Sequence, residues 1–224
     1  MMVVFEKGAA MRYIGHLDMM RTIQRSLRRS GLPISFSKGF NPHVRLAFAA
    51  PLSVGIVGLH ELMDVPMEEE ISETIFKEKM NSVLPECFRI ISCRMIQDEY
   101  PSLMSLVGGG DYRIDFPKCT ESEKAVRALN EFTALKEYVV DRRTKSGENP
   151  CDIMPFVQNV TLIDNGDEYS IHLTTKALAG GMLKPSLWLD ALCGYSGAIE
   201  FPHLIYRQHI LAVQNSRLIP MEDL

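Results

Sequence analysis

The sequence predicts an α+β protein made of two tandem units, each an antiparallel sheet with helices on one face. Three observations carry this expectation. Strand-like alternation and helical periodicity follow one another in the order strand–helix–strand–strand–helix–strand over residues 1–100. Three consecutive glycines, Gly108, Gly109 and Gly110, then interrupt the chain. The same order partly recurs over residues 108–224. The order βαββαβ is that of a ferredoxin-like unit, so two tandem ferredoxin-like units are expected.

Each element has a local reason. MVVFEKG (2–8) alternates as a short strand, and GHLDMMRTIQRSLRRSG (15–31) reads as a helix closed by Gly31, a residue suited to a helix C-terminus. Leu17, Met20, Ile23 or Gln24, and Leu27 recur at helical spacing and should face the sheet. LPISF and HVRLAFAA are strand-like, with Pro and Gly punctuating the loop between them. LHELMDVPM supplies a further strand. EEEISETIFKEKMNSVLP reads as a helix with Ile71, Ile75 and Met80 inward, stopped by Pro85, and CFRIISCRMI closes the first unit. PSLMSLVGGGD (101–111) reads as a hinge, since three glycines weaken any regular element.

In the second unit, DYRIDFP is a strand, and TESEKAVRALNEF is a helix with Thr120 as N-cap and Glu123 completing a capping box. EYVVDRR follows as a strand, and KSGENPCDIMPF is an inserted loop with no counterpart in the first unit. FVQNVTLIDNGDEYSIHLTT is a hairpin turning at Asn165-Gly166. KPSLWLDALCG is a helix with Pro185 in its first turn, and IYRQHILAV closes the sheet.

Several function classes are excluded at this level. No apolar run approaches the ~20 residues of a membrane span. MMVVFEKGAAMRY lacks the basic start and apolar stretch of a secretion signal, so a cytoplasmic protein is expected. The five cysteines, Cys87, Cys93, Cys119, Cys151 and Cys193, are scattered without any CxxC. Neither an iron–sulfur cluster nor a zinc ribbon is indicated, and no cofactor or metal site is expected.

Charge is unevenly placed. The net charge is −4, yet residues 1–50 hold two Lys and six Arg against Glu6 and Asp18, a net of +6, which leaves −10 for the remainder. A basic segment of this kind invites an anionic partner. Arg21, Arg25, Arg28 and Arg29 project from one helix, with Asp18 alone close enough to neutralise any of them. A guanidinium fork matches phosphate oxygens, so phosphate is one reading of this cluster; a solvated face that pairs with acidic residues elsewhere is the other.

The loop after the helix complements it. Lys38-Gly39-Phe40-Asn41-Pro42-His43, followed by Arg45, sets an aromatic ring among cations, as in surfaces that stack unpaired bases. Gly39 allows close approach of backbone to a ligand, and Pro42 holds Asn41 extended. His16, Asp18 and His43 are candidates for proton transfer if the fold brings them together.

Over YIGHLDMMRTIQRSLRRSGLPISFSKGFNPHVRLAFAAPLSVG the chain resembles the radical SAM-linked domain, a bacterial domain of unknown function found fused to radical SAM proteins or encoded beside them. The resemblance rests on Gly15-His16-Leu17-Asp18, on Arg25-Ser26-Leu27-Arg28-Arg29-Ser30-Gly31-Leu32-Pro33 and on Ser37-Lys38-Gly39-Phe40-Asn41-Pro42-His43. Gly15 stands where the family carries serine, and Val44 where many members carry proline. The resemblance implies partnership with a radical SAM protein on a separate chain, with tRNA or rRNA as the shared context. Two roles are then open: an accessory module that binds RNA through Arg21, Arg25, Arg28, Arg29, Lys38, Phe40, Asn41 and Arg45, or an RNA-processing enzyme using His16, Asp18 and His43. A protein-docking module is a third.

Overall fold

The computed structural model describes residues 1–97, 99–144, 147–179 and 181–224. In chain order the elements are β1 (Met2–Lys7), α1 (His16–Arg29), β2 (Ala47–Phe48), β3 (Ile56–Asp64), α2 (Glu73–Asn81), β4 (Phe88–Arg94), α3 (Leu103–Leu106) and β5 (Val107–Pro117). There follow α4 (Thr120–Thr133), β6 (Val139–Thr144), β7 (Gly147–Asp152), β8 (Val157–Asp164), β9 (Glu168–Lys176), α5 (Pro185–Ser196), β10 (Leu204–Gln214) and β11 (Arg217–Pro220). The protein is thus mixed α+β, with mostly antiparallel sheet and five α-helices among the described residues.

The chain divides into two compact units, Met1–Gly108 with Tyr206–Leu224, and Gly109–Ile205. The first division falls at the glycine triplet. The sequence pattern places the last strand in the second unit, whereas residues 206–224 cluster with the first. The physical reason is Arg207 on β10, whose guanidinium is buried against Glu61 of β3.

In the first unit the strand order is β4-β1-β3-β2, and each of these neighbours is antiparallel. β10 also lies beside β3, and β11 pairs with β10. Hydrophobic side chains from the helices cover this sheet: Met19, Ile23 and Leu27 of α1 and Phe76 and Met80 of α2 join Phe5, Phe48, Phe88 and Ile90 in one core. Residues 19, 23, 26 and 27 define the inward stripe of α1. Leu17, expected inward, is 65% exposed, because it lies on the outer face with Arg21 and Arg28. Similarly, Ile75 is exposed and Phe76 takes the buried position on α2.

The segment expected as a hinge is built of regular structure. Residues 103–106 form the single turn α3, and the three glycines lie inside β5. Close packing explains them. A Cβ on Gly109 would sit 2.0 Å from the Thr175 carbonyl oxygen of β9, and one on Gly108 would sit 2.7 Å from Val213. Gly109→Ala is therefore expected to destabilise the protein by about 3 kcal/mol, the upper end of overpacking costs, as read from urea unfolding. A loss below about 0.5 kcal/mol would show that this strand pair can open without cost.

The second unit has strand order β5-β9-β8, antiparallel throughout, with the β8–β9 hairpin turning at Asn165-Gly166 as the sequence predicts. Gly166 supplies the positive φ of +84° that this turn requires. The segment expected as an inserted loop is instead the second arm of a two-stranded ribbon, β6–β7, followed by a short turn at Met154–Phe156; Lys145 and Ser146 lie outside the described residues. The α4 cap shifts by one position, since Cys119 and Ser122 form the reciprocal box and Thr120 is already helical. Phe132 packs against Tyr138, Trp188 and Tyr195 in an aromatic core.

Candidate nucleic-acid interface

Residues 34–45 fold as a narrow arm. Buried Ile34 and Val44 hold its base, through bridges Ile34–Met67 and Phe36–Val44. Two backbone bonds close it, Arg45 N–H to Ser35 O at 3.0 Å and Ser37 N–H to His43 O at 2.8 Å. The Ser37 hydroxyl then fastens the tip: it accepts the His43 amide at 3.0 Å and meets His43 Nδ1 at 2.7 Å. Lys38, Gly39, Phe40, Asn41 and Pro42 are left exposed beyond this clasp. Gly39 has φ +129° with open space where a Cβ would be, so backbone conformation, not close approach, explains it.

Phe40 is the extreme case. Its relative exposure is 107%, so the whole ring stands in solvent. An aromatic ring held out by a clasped turn has no folding purpose, since burial is what makes such a residue stabilising.

The arm lies against the outer face of α1. Gln24 Nε2 donates to Val44 O at 3.2 Å and Arg28 Nη2 to Pro42 O at 3.5 Å, so the arginine face and the tip form one surface. Arg25 is exposed on this face, and Arg21 pairs with Asp18 at 3.1 Å with both side chains about two-thirds exposed. Such a pair contributes little and leaves the guanidinium available. Arg29 points elsewhere. It donates to Val83 O at 2.7 Å and to Ser26 Oγ at 3.2 Å, tying α1 to the residues just after α2. Arg45 projects from the arm, and its charge reaches Asp64, whose carboxyl is pushed up by burial and drawn back by the N-terminal ammonium and Arg45.

The three proton-transfer candidates do not meet as a working group. His16 packs its ring edge on Phe48 at 5.1 Å, Asp18 holds Arg21, and His43 holds Ser37. Among the described residues no hydrogen bond joins any two of them. One nitrogen of His16, Nδ1, is buried without a partner.

Two features of this surface were not singled out in the sequence. Arg12 lies over the exposed ring of Tyr13 at 4.5 Å, a second cation–aromatic pair just before α1, whose only sequence signal is their adjacency. Beneath the interface lies a buried charge network. Arg207 Nε donates to Glu61 Oε1 at 2.7 Å, its Nη2 bonds Glu61 Oε2, and the same guanidinium donates to Ala50 O at 3.2 Å and Pro51 O at 3.3 Å. Lys7 is buried beside them and donates to Ile14 O at 2.9 Å and Arg12 O at 3.3 Å. Burial pulls the Lys7 ammonium below the usual lysine range, Glu61 raises it and Arg207 lowers it. The network therefore fixes the turn entering α1 and the stretch leaving the arm. Gly58 makes room for it, since a Cβ there would lie 2.5 Å from the Glu61 side chain. Charged residues inside otherwise apolar strands were the available signal.

Residues 1–185 match the model of a bacterial family described as "Uncharacterized protein conserved in bacteria (DUF2344)". The chain belongs to that family. No curated protein matches it. Among the described residues no helix is long and apolar enough to cross a membrane.

Proposed function

We propose that this protein is an RNA-binding accessory module that serves a radical SAM enzyme carried on another chain, with tRNA or rRNA as the ligand. The observation that carries the reading is Phe40, entirely exposed at the tip of a clasped arm and joined through Arg28 to the arginine face of α1. Arg21, Arg25, Arg28, Lys38 and Arg45 hold phosphates, Phe40 stacks on an unpaired base, and the exposed Asn41 amide bonds base edges. Arg29 supports the helix from behind. The radical SAM partnership rests on the sequence resemblance over the helix and arm. With His16, Asp18 and His43 held by separate partners, binding is favoured over turnover. The β4-β1-β3-β2 order of the first unit supports a ferredoxin-like reading, and β5-β9-β8, with α4 after β5 and α5 after β9, supports a second copy.

Fluorescence anisotropy of labelled tRNA and rRNA fragments across a salt series tests this. Five phosphate contacts predict that log K falls by about 3.5 per decade of salt for single-stranded RNA. Phe40→Ala is expected to weaken binding by roughly 5- to 150-fold, the value of one stacked base. Absence of binding at low salt would sink the RNA reading and leave the surface to an acidic protein partner.

A further inference from the structure

A second cluster in the first unit, unrelated to the RNA reading, has the composition and spacing of a metal centre. β3 and β10 bring His60 and His209 into a parallel stack, with ring centroids 4.7 Å apart and planes inclined by 12°. The chain then reverses through Asn215 and Ser216, both in the left-handed region at φ 50° and 63°, so that β11 runs back along β10. A turn at Met221–Asp223 follows, anchored by the fully buried Met221, and sets Glu222 against the stack. One candidate ligand atom from each of His60, His209 and Glu222 lies within 4.8 Å of the others, the one such group among the described residues.

Three details distinguish this cluster from two histidines packed for bulk. First, Glu222 Oε1 meets His209 Nδ1 at 2.6 Å, but its Oε2 is buried with no hydrogen-bond partner. A buried carboxylate oxygen without a partner is costly, and a cation at that position would remove the cost. Second, His60 Nδ1 faces the Gln208 carbonyl at 3.0 Å. A carbonyl only accepts, so Nδ1 carries the proton and Nε2 presents its lone pair. Fixing a tautomer through a backbone carbonyl is the usual support of a metal-binding histidine. Third, β3 bulges here. Phe5 pairs with Glu61 and Lys7 with Gly58, so Leu59 and His60 together oppose Glu6. A bulge re-aims a side chain out of the regular ladder, and bulges gather next to sites of function.

We propose that His60, His209 and Glu222 form a three-ligand site for a divalent transition-metal ion of the zinc class. Two imidazoles and one carboxylate suit zinc or ferrous iron and are a poor match for calcium or magnesium, which take oxygen donors. Three protein ligands leave a coordination position for water or for a donor atom of another molecule. No motif spacing announces the site, because its ligands come from β3, β10 and the turn after β11. An expectation of no metal drawn from cysteine spacing alone does not reach it.

The test uses the full chain, stripped with chelator and titrated with Co²⁺ and then Zn²⁺. The expected result is one Co²⁺ per chain with visible d–d bands, displaced by Zn²⁺, together with a higher melting temperature in Zn²⁺. His209→Ala and Glu222→Gln should each weaken Zn²⁺ binding by about 100-fold or more, beyond the 10–100-fold that loss of a supporting partner costs. Should either variant fail to fold, side-chain NMR of the unaltered protein decides. Zn²⁺ must shift the imidazole signals of His60 and His209 and leave those of His16 and His43 in place. Binding that is weak, exceeds one ion per chain, or persists undiminished in folded variants overturns the proposal.

Discussion

Arg207→Met is expected to cost the protein about 3–5 kcal/mol in urea unfolding, more than any other single substitution considered for stability. Both partners of the Arg207–Glu61 pair are 2% exposed, so removing the arginine strands a carboxylate away from water. It also removes the donors on the Ala50 and Pro51 carbonyls. Lys7 recovers part of the loss, since its ammonium already feels Glu61. Replacing both partners, in Glu61→Leu/Arg207→Met, should be less harmful than Arg207→Met alone, because no lone buried charge remains. Equal costs for the single and double variants would mean that the pair is not the source of the stability.

The second large effect concerns binding. Arg25→Glu/Arg28→Glu is expected to lower RNA affinity by on the order of 10²-fold at 0.1 M salt, with folding unchanged. Each phosphate contact to a single strand is worth about 0.7 of a decade per decade of salt, so two lost contacts account for roughly 25-fold at this concentration and repulsion supplies the rest. The salt slope should fall by about 1.4. Arg29→Glu provides the contrast. Its guanidinium holds Val83 O and Ser26 Oγ, so its substitution should lower stability more than RNA affinity. A folded Arg25→Glu/Arg28→Glu variant that keeps its RNA affinity would move the interface off this helix.

Much of the first unit was legible because its elements carry local signals. The β1, α1, β3, α2 and β4 segments each have a period that matches their structure, and the exposed tip at Lys38–Pro42 was legible from turn residues that no core strand would hold. Three things escaped for a common reason: they are decided by what lies across the fold. The glycine triplet reads as a hinge until Thr175 and Val213 are known to press on it. Leu17 reads as core until the buried stripe through Met19 and Ile23 fixes the helix rotation. Arg29 reads as one of four like arginines until Val83 is seen to accept its bond. The same limit hid the Lys7–Glu61–Arg207 network, whose members are local anomalies that only their neighbours explain.

The placement of residues 206–224 in the first unit has a consequence for how the chain comes to be folded. During synthesis β1 to β4 emerge before β10, and Glu61 must wait for Arg207 until all of Gly109–Ile205 has been made. Until then β3 lacks its β10 neighbour, and the Lys7 ammonium is the charge that Glu61 has beside it. A chain that stalls within Gly109–Ile205 therefore presents β3 without β10 at its side.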